Sequence, residues 1–368
     1  MDWYTIRNAD RLDTPALVLY PDRIKRNIEL LKTFVADSNQ LRPHIKTNKC
    51  PQVVKLMLEA GVTKFKCATI AEGEMLALEG AGDVLLAYQP VGPKARRFCE
   101  LIRKYPKTIF SCLIDNQKSL LELSGLGVEM NIKIRVLIDL NVGMNRTGIA
   151  GEKEALQLYL AASQAKGIDI IGLHVYDGHL RDTDIALRKQ KCDEAFRGVE
   201  LLQEQIVKAV GKDPIVVAGG TPTFPIHAKR KGVEASPGTF IFWDRGYQQL
   251  LAEQPFEFAA LVVTRIISKP DDQTICIDLG HKSIASENPI TQRVYLLNAR
   301  DLQPIGHSEE HMVFRTEGNQ PCEVGDVLYG VPLHICPTVA LYEEASICRE
   351  NIVGETWPIL ARKRKISI

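Results

Sequence analysis

Eight short apolar runs, alternating with longer stretches of helical spacing, occupy the first two-thirds of the chain. The runs are "ALVLY" (16–20), "LRPHIK" (41–46), "KFKCAT" (64–69), "DVLLAY" (83–88), "IFSCLID" (109–115), "IKIRVLIDL" (132–140), "IIGLHVY" (170–176) and "PIVVAGG" (214–220). Between them, "RIKRNIELLKTFV" places Ile24, Ile28, Leu31 and Phe34 or Val35 on one helix face. "EKEALQLYLAASQA" and "DEAFRGVELLQEQIVKAV" repeat that spacing. Strand then helix, repeated, implies parallel strands joined by crossover helices, and eight units is the count of an α/β (β/α)8 barrel of TIM type. An open doubly wound sheet usually carries a Gly-rich turn after its first strand. "ALVLYPDRIKRN" has none.

After about residue 250 the pattern changes. "EFAALVVTRIISK", "QTICIDLG", "TQRVYLLN", "HMVFRT", "GDVLYGVP" and "ASICREN" read as strands with few helices between them. The expected division is a barrel over 14–248 and a mainly-β domain from 1–13 and 249–368. The net charge of +1 leaves no electrostatic footprint for nucleic acid or an acidic membrane. The start, "MDWYTIRNAD", lacks the apolar segment of a signal peptide, and no apolar run is long enough to span a bilayer. Nine cysteines without a C-x-x-C pair read as reduced thiols in a cytoplasmic protein.

Chemistry in such a barrel sits at the C-terminal ends of the strands. The second run ends in Lys46, hemmed by Arg42, His44 and Lys49. Neighbouring positive charge disfavours an ammonium, and a lysine with a lowered pKa is a nucleophile. Other strand ends carry Tyr88 and Gln89; Asp139, Asn145 and Arg146; and His174, Tyr176, Asp177 and His179. "AGGTPT" (Gly219, Gly220, Thr221) and "SPGT" (Gly238, Thr239) combine glycine with a hydroxyl just past a strand, which suits an anion. With no Walker loop and no dinucleotide fingerprint, two such loops suggest a small phosphorylated cofactor. A lysine at one strand end and phosphate cradles at the last ones are what pyridoxal phosphate needs.

"RPHIKTNKCP" resembles the "RPHxKTHK" stretch of the D-threonine aldolase and D-serine dehydratase family, whose members are fold-type III pyridoxal enzymes with an alanine-racemase-like barrel. "NVGMNRTG", "GGTPT", "SPGTF" and "HICPTV" resemble, in the right order, that family's arginine loop, its two phosphate loops and its metal motif. The resemblance implies that Lys46 bonds the cofactor's aldehyde and that Arg146 contacts its phenolic oxygen. It also implies that Gln89, Tyr176, Gly219, Gly220, Thr221, Gly238 and Thr239 complete the cofactor site, and that His334 and Cys336 hold a divalent metal (Zn, Mn or Mg). Imidazole and thiolate suit zinc, and two residues apart on a strand they face the same side. Asp278 and the pair Glu309–Glu310 are expected as outer groups of that site.

The sequence departs from the family at Asn48, where the family stretch has histidine. It departs also at Asp182, where bacterial D-threonine aldolases place a basic histidine six residues after the strand-seven tyrosine. His179 is the nearest histidine and, with Lys46 and Tyr176, makes the catalytic set. Cys336 looks more like the dehydratases, and the "PTV" after it more like the aldolases. The resemblance thus implies a lyase that cleaves D-threonine to glycine and acetaldehyde and acts as a homodimer on a small D-amino acid. The alternative is a D-serine or D-3-hydroxyaspartate dehydratase. A racemase has no need of the metal pair, and a non-catalytic pyridoxal-phosphate carrier has no second domain.

Overall fold

The computed structural model describes residues 2–316 and 322–368. The chain forms two compact units, one from residues 1–30, 47–53 and 239–362, the other from 31–46, 54–238 and 363–368. The second holds the barrel. The expected first barrel strand lies in the other unit. There β1 (Ala16–Leu19) pairs antiparallel with Ala260–Asp271 and parallel with Glu344–Arg349 before the chain enters α1 (Pro21–Lys32). All four residues of β1 are buried. A strand buried on both faces carries no mark of which sheet it joins.

Seven parallel strands follow one another in order around the barrel unit: β2 (Lys64–Cys67), β3 (Asp83–Leu86), β4 (Ile109–Ile114), β5 (Ile134–Leu140), β6 (Ile168–Val175), β7 (Ile215–Ala218) and β8 (Val233–Ala235). Residues 41–44 fill the eighth place. Leu41 bridges to Ala235 of β8 and His44 to Lys66 of β2, so the last strand is joined to the first. The eightfold count holds with a changed membership, β8 standing in for "ALVLY". Charge reinforces the closure. Arg42, 3% exposed, bonds Asp83 at 2.6 Å and Glu234 of β8 at 2.6 Å, and Lys64 bonds Glu234 at 2.5 Å.

The connections carry α2 (Pro51–Glu59), α3 (Ile70–Leu78), α4 (Pro93–Lys104), α5 (Gln117–Glu129), α6 (Glu152–Gln164), α7 (Ile185–Val210) and α8 (Phe224–His227). Thr69, Asn116 and Asp184 cap α3, α5 and α7 by accepting from N–H groups of the first turn, and Gly211 ends α7 at φ +71°. Leu85, Leu113, Leu137, Ile171 and Val217, one from each of β3 to β7, pack into an apolar layer. Alternation along the strands puts Gln89, Asp115 and Asp139 on the same face, further towards the C-terminal rim. On β6 a bulge shifts the register: Val136 pairs with Ile170, but Leu137 pairs with Gly172 and Asp139 with His174. Gly172 is required there, because a Cβ would lie 2.0 Å from the carbonyl oxygen of Ile215.

The other unit is a sheet built on β1 with β9 (Ala260–Asp271), β10 (Thr274–Ile277), β11 (Val294–Leu296), β12 (Gln303–His307), β13 (Met312–Arg315), β14 (Val327–Pro332), β15 (Glu344–Arg349) and β16 (Ile352–Pro358). Val262, Ile275, Ile277, Met312, Phe314 and Leu328 lie in its core. Two short helices, α9 (Arg245–Leu250) and α10 (Ile335–Val339), complete it. Among the described residues no helix is long and apolar enough to cross a membrane.

Candidate active site

The rim of the barrel unit gathers most of the groups expected at strand ends. Lys46 lies in a single 3-10 turn after the closing bridge, its backbone N–H donating to His44 Nδ1 at 3.2 Å. Its side chain is exposed. Of the cations expected around it, Arg42 is taken up by Asp83 and Glu234. A second amine stands nearby: Lys66 of β2, whose pKa burial and then the charge of Lys46 bring down to about 7. Nothing in the sequence singled out Lys66, because a lysine in "KFKC" reads as the solvent side of a strand.

Lys66 heads a buried chain. Its Nζ lies 3.4 Å from His174 Nε2, and His174 Nδ1 lies 2.7 Å from Asp139 Oδ1. Gln89 Nε2 donates to Asp139 at 2.8 Å and to Asp115 at 3.0 Å. Burial and the Lys66 charge lower the pKa of His174 against the pull of Asp139, so the imidazole is neutral at pH 7. Burial raises the pKa of Asp139, but hydrogen bonds from His174, Thr147 and Gln89 bring it below the usual carboxylate value.

Tyr176 follows β6. The Arg146 guanidinium lies 5.0 Å from the centre of its ring, and a Cβ on Gly178 would fall 2.2 Å from its hydroxyl. His179 packs on Gly143 of the "NVGMNRTG" loop, where a Cβ would come within 2.8 Å of its Nε2. These contacts set Arg146 against Tyr176 and His179 on the loop that carries Arg146. Asp182, six residues after Tyr176, is engaged elsewhere. Its carboxylate binds Lys191 at 2.6 Å and its carbonyl accepts from Arg188.

The two glycine loops meet. Gly219 has φ +82°, Gly220 N–H donates to Thr223 Oγ1 at 3.3 Å, and Gly238 N–H donates to Thr221 Oγ1 at 3.3 Å. A Cβ at Gly220 would come within 3.0 Å of the Tyr176 ring, so glycine keeps the space beside that ring open. Behind the loop, Asp177 accepts from Thr223 at 2.5 Å and pairs with His227 at 2.8 Å, with the Cys192 thiol against both. Asp177, Cys192 and His227 are close enough to share an ion. Burial pushes the thiol up to about 12, however, and the three already bond one another, so the cluster reads as a brace under the glycine loop. A glycine cradle beside an aromatic ring, with Lys46, Lys66 and Arg146 as cations, fits pyridoxal phosphate.

The metal motif belongs to the other unit. His334 and Cys336 are not on a strand: His334 is the N-cap of α10 and Cys336 lies in its first turn. The pair still meets, through a side-chain hydrogen bond. Burial lowers the His334 pKa, but Cys336 and then Glu287 outweigh it and raise it to about 9. Glu287 accepts from His334 Nδ1 at 2.5 Å, an arrangement of the kind that orients imidazoles in metal sites. Cys336 Sγ lies 3.1 Å from Thr47 and 3.7 Å from Thr239. Buried Asp244 caps α9 at Tyr247 N–H and also accepts from Ile335 N–H, holding α10 in place. This donor set fits a divalent ion.

The outer groups expected for that site are occupied otherwise. Asp278 accepts from Thr14, Thr264 and the backbone of Arg265. Glu309 and Glu310 pair with Lys282. Asn48 accepts from Cys50 N–H and shapes the turn before α2. Glu287 was missed because it lies 47 residues from His334 and only the fold brings it near.

Residues 20–245 match the family described as alanine racemase, N-terminal domain, and residues 259–348 match the putative serine dehydratase domain. A D-threonine aldolase of Arthrobacter sp is 29% identical over 96% of this chain and 93% of its own. A D-threo-3-hydroxyaspartate dehydratase of Delftia sp. (strain HT23) is 23% identical over 94% of this chain and 97% of its own. The solved D-threonine aldolase from Filomicrobium marinum superposes with a TM-score of 0.87 at 26% identity, covering 98% of each chain.

Proposed function

The chain belongs to the alanine racemase N-terminal domain family, and from that premise we infer a pyridoxal-phosphate- and divalent-metal-dependent lyase that cleaves D-β-hydroxy amino acids, D-threonine giving glycine and acetaldehyde. The observation that carries it is the gathering of Lys46, Tyr176, Arg146 and the joined glycine loops in one barrel unit, in a chain similar along its length to D-threonine aldolases. Pyridoxal phosphate, when bound, supplies an electron sink for negative charge at Cα. Lys46 is its point of attachment. Gly219, Gly220, Thr221 and Gly238 would receive its phosphate, and Arg146, Gln89 and Tyr176 would orient its ring. A divalent ion at His334 and Cys336 supplies Lewis-acid polarisation of a hydroxyl. The enzyme works as a cytoplasmic homodimer on a small D-amino acid.

His179 takes the β-hydroxyl proton while the Cα–Cβ bond breaks. It is exposed and held on Gly143, whereas Asp182, at the alternative position, is paired with Lys191. A positioned base is worth about 10²–10⁴-fold in rate. His179→Ala should slow glycine formation from D-threonine by that range with cofactor binding intact, read by assaying glycine and 2-oxobutanoate side by side. Equal rates in the two proteins make His179 a bystander.

The second reading is a dehydratase, favoured by the thiol at Cys336. There Lys46 takes the Cα proton, hydroxide leaves, and the product hydrolyses to a 2-oxo acid and ammonia. Mainly 2-oxobutanoate from the unaltered protein would decide for it. Either reaction needs the ion, and both ligands must shed protons to bind it, so metal affinity should fall towards acid pH. EDTA should stop turnover while the cofactor's absorbance persists, and a divalent ion should restore it. Full activity in His334→Ala would remove the motif from the site.

A further inference from the structure

Lys66 is 2% exposed, in a part of the barrel lined by polar groups. An ammonium carries three donors. Among the described residues one is accounted for, by His174 Nε2 at 3.4 Å, and no carboxylate forms an ion pair with it. A buried charge with so little compensation is costly unless something else accepts from it. The partner it does have is held firmly. His174 Nδ1 bonds Asp139, Asp139 is bonded by Gln89, and Gln89 also bonds Asp115. This chain fixes the tautomer: Nδ1 carries the proton facing Asp139, so Nε2 accepts from Lys66. The ammonium is thereby aimed while two donors remain unspent.

The surroundings point to where those donors go. Lys66 lies 5.9 Å from the centre of the Tyr176 ring, which Arg146 also approaches at 5.0 Å, and Gly220 leaves the space beside that ring open. The charged groups acting on Lys66 from neighbouring elements are Lys46 and Arg42 of the closing segment, Asp139 of β5 and Asp177 after β6. The two cations and burial disfavour its charge and the two carboxylates favour it. Those opposed effects leave an amine poised to gain a proton when an anion arrives.

We propose that Lys66 is an anion-binding residue of this site, donating from its ammonium to a negatively charged oxygen of the molecule held at the strand ends. The proposal rests on the reading of the barrel rim as the ligand site. The oxygen belongs either to the cofactor ring or to the substrate. An anion bound to Lys66 raises its pKa, so binding takes up a proton above about pH 7, where free Lys66 is neutral. Affinity for that anion then weakens by up to about tenfold per pH unit above that point.

The test compares the wild-type protein with Lys66→Met, which fills a similar volume without the charge. With lysine labelled by ¹³C at Cε, one NMR resonance of the cofactor-free protein, absent from Lys66→Met, should titrate near pH 7. Dissociation constants for pyridoxal phosphate and KM for D-threonine are then measured between about pH 6 and 9. A loss of cofactor affinity with rising pH in the wild type but not in Lys66→Met assigns the oxygen to the cofactor. The same contrast confined to KM assigns it to the substrate. Identical pH dependence of both quantities in the two proteins, or a Lys66 resonance that titrates like an exposed lysine, overturns the proposal. Should neither protein turn over D-threonine, the lyase reading fails, and the resonance and the cofactor constants alone decide the role of Lys66.

Discussion

Arg42→Ala will destabilise the barrel unit by about 3–5 kcal/mol, the cost of leaving buried charges without their partner. The side chain is 3% exposed and holds Asp83 and Glu234 together, at the place where residues 41–44 join β8 to β2. Its loss leaves Glu234, which is buried, with only Lys64. Arg42→Met with Glu234→Gln, which removes the charges in concert, should recover part of the loss. All three tryptophans, Trp3, Trp243 and Trp357, belong to the other unit, so their fluorescence is the wrong reporter. Amide hydrogen exchange of β2 and β8 reads the closure directly. Unchanged protection of both strands in Arg42→Ala would show that the bridges alone close the barrel.

Lys46→Ala is expected to abolish turnover of D-threonine, a loss of at least about 10²–10⁴-fold, the scale of one positioned catalytic group, because the proposed function makes Lys46 the attachment point of the cofactor. Borohydride treatment of the wild type followed by proteolysis should leave the cofactor's mass on the peptide carrying Lys46. Lys66 makes this a sharp test. It is a second amine in the same barrel unit, with a pKa brought to about 7 by burial and by Lys46. Lys66 is held by His174, whereas Lys46 is exposed at the rim. The adduct on Lys66, or on Lys49, would relocate the attachment.

The parts legible in the sequence were those written in local periodicity. Strand–helix alternation gave the barrel and its count, and the change of pattern near residue 250 gave the second sheet. Membership was harder. "ALVLY" is apolar throughout, as a strand buried on both faces is in any sheet, and its partners β9 and β15 lie hundreds of residues away. Val233–Ala235 is three residues long with a glutamate in the middle, and nothing local marks it as a barrel strand. Its glutamate makes sense only opposite Arg42 and Lys64. At the site, loops with glycine and hydroxyl residues were readable because their chemistry is local. Lys66 and Glu287 were not, because a charged residue inside a closed barrel, or one brought to a histidine from 47 residues away, has no sequence neighbour to betray it.

The bulge in β6 makes that strand behave like a message with a reading frame. Upstream of Gly172 its residues align with β5 in one phase, and downstream in the other. In the chain as it stands Asp139 faces His174 because the register slips by one residue; paired without the slip, the same strand would offer Leu173 instead. A one-residue insertion there, with the bulge kept, would leave composition, hydrophobicity and strand propensity almost untouched. It would nonetheless exchange an imidazole for an isobutyl group opposite the carboxylate and unseat Lys66. Drift by substitution is tolerable along β6, but drift in length is not, and the glycine that permits the slip is as much a part of the chemistry as the histidine it delivers.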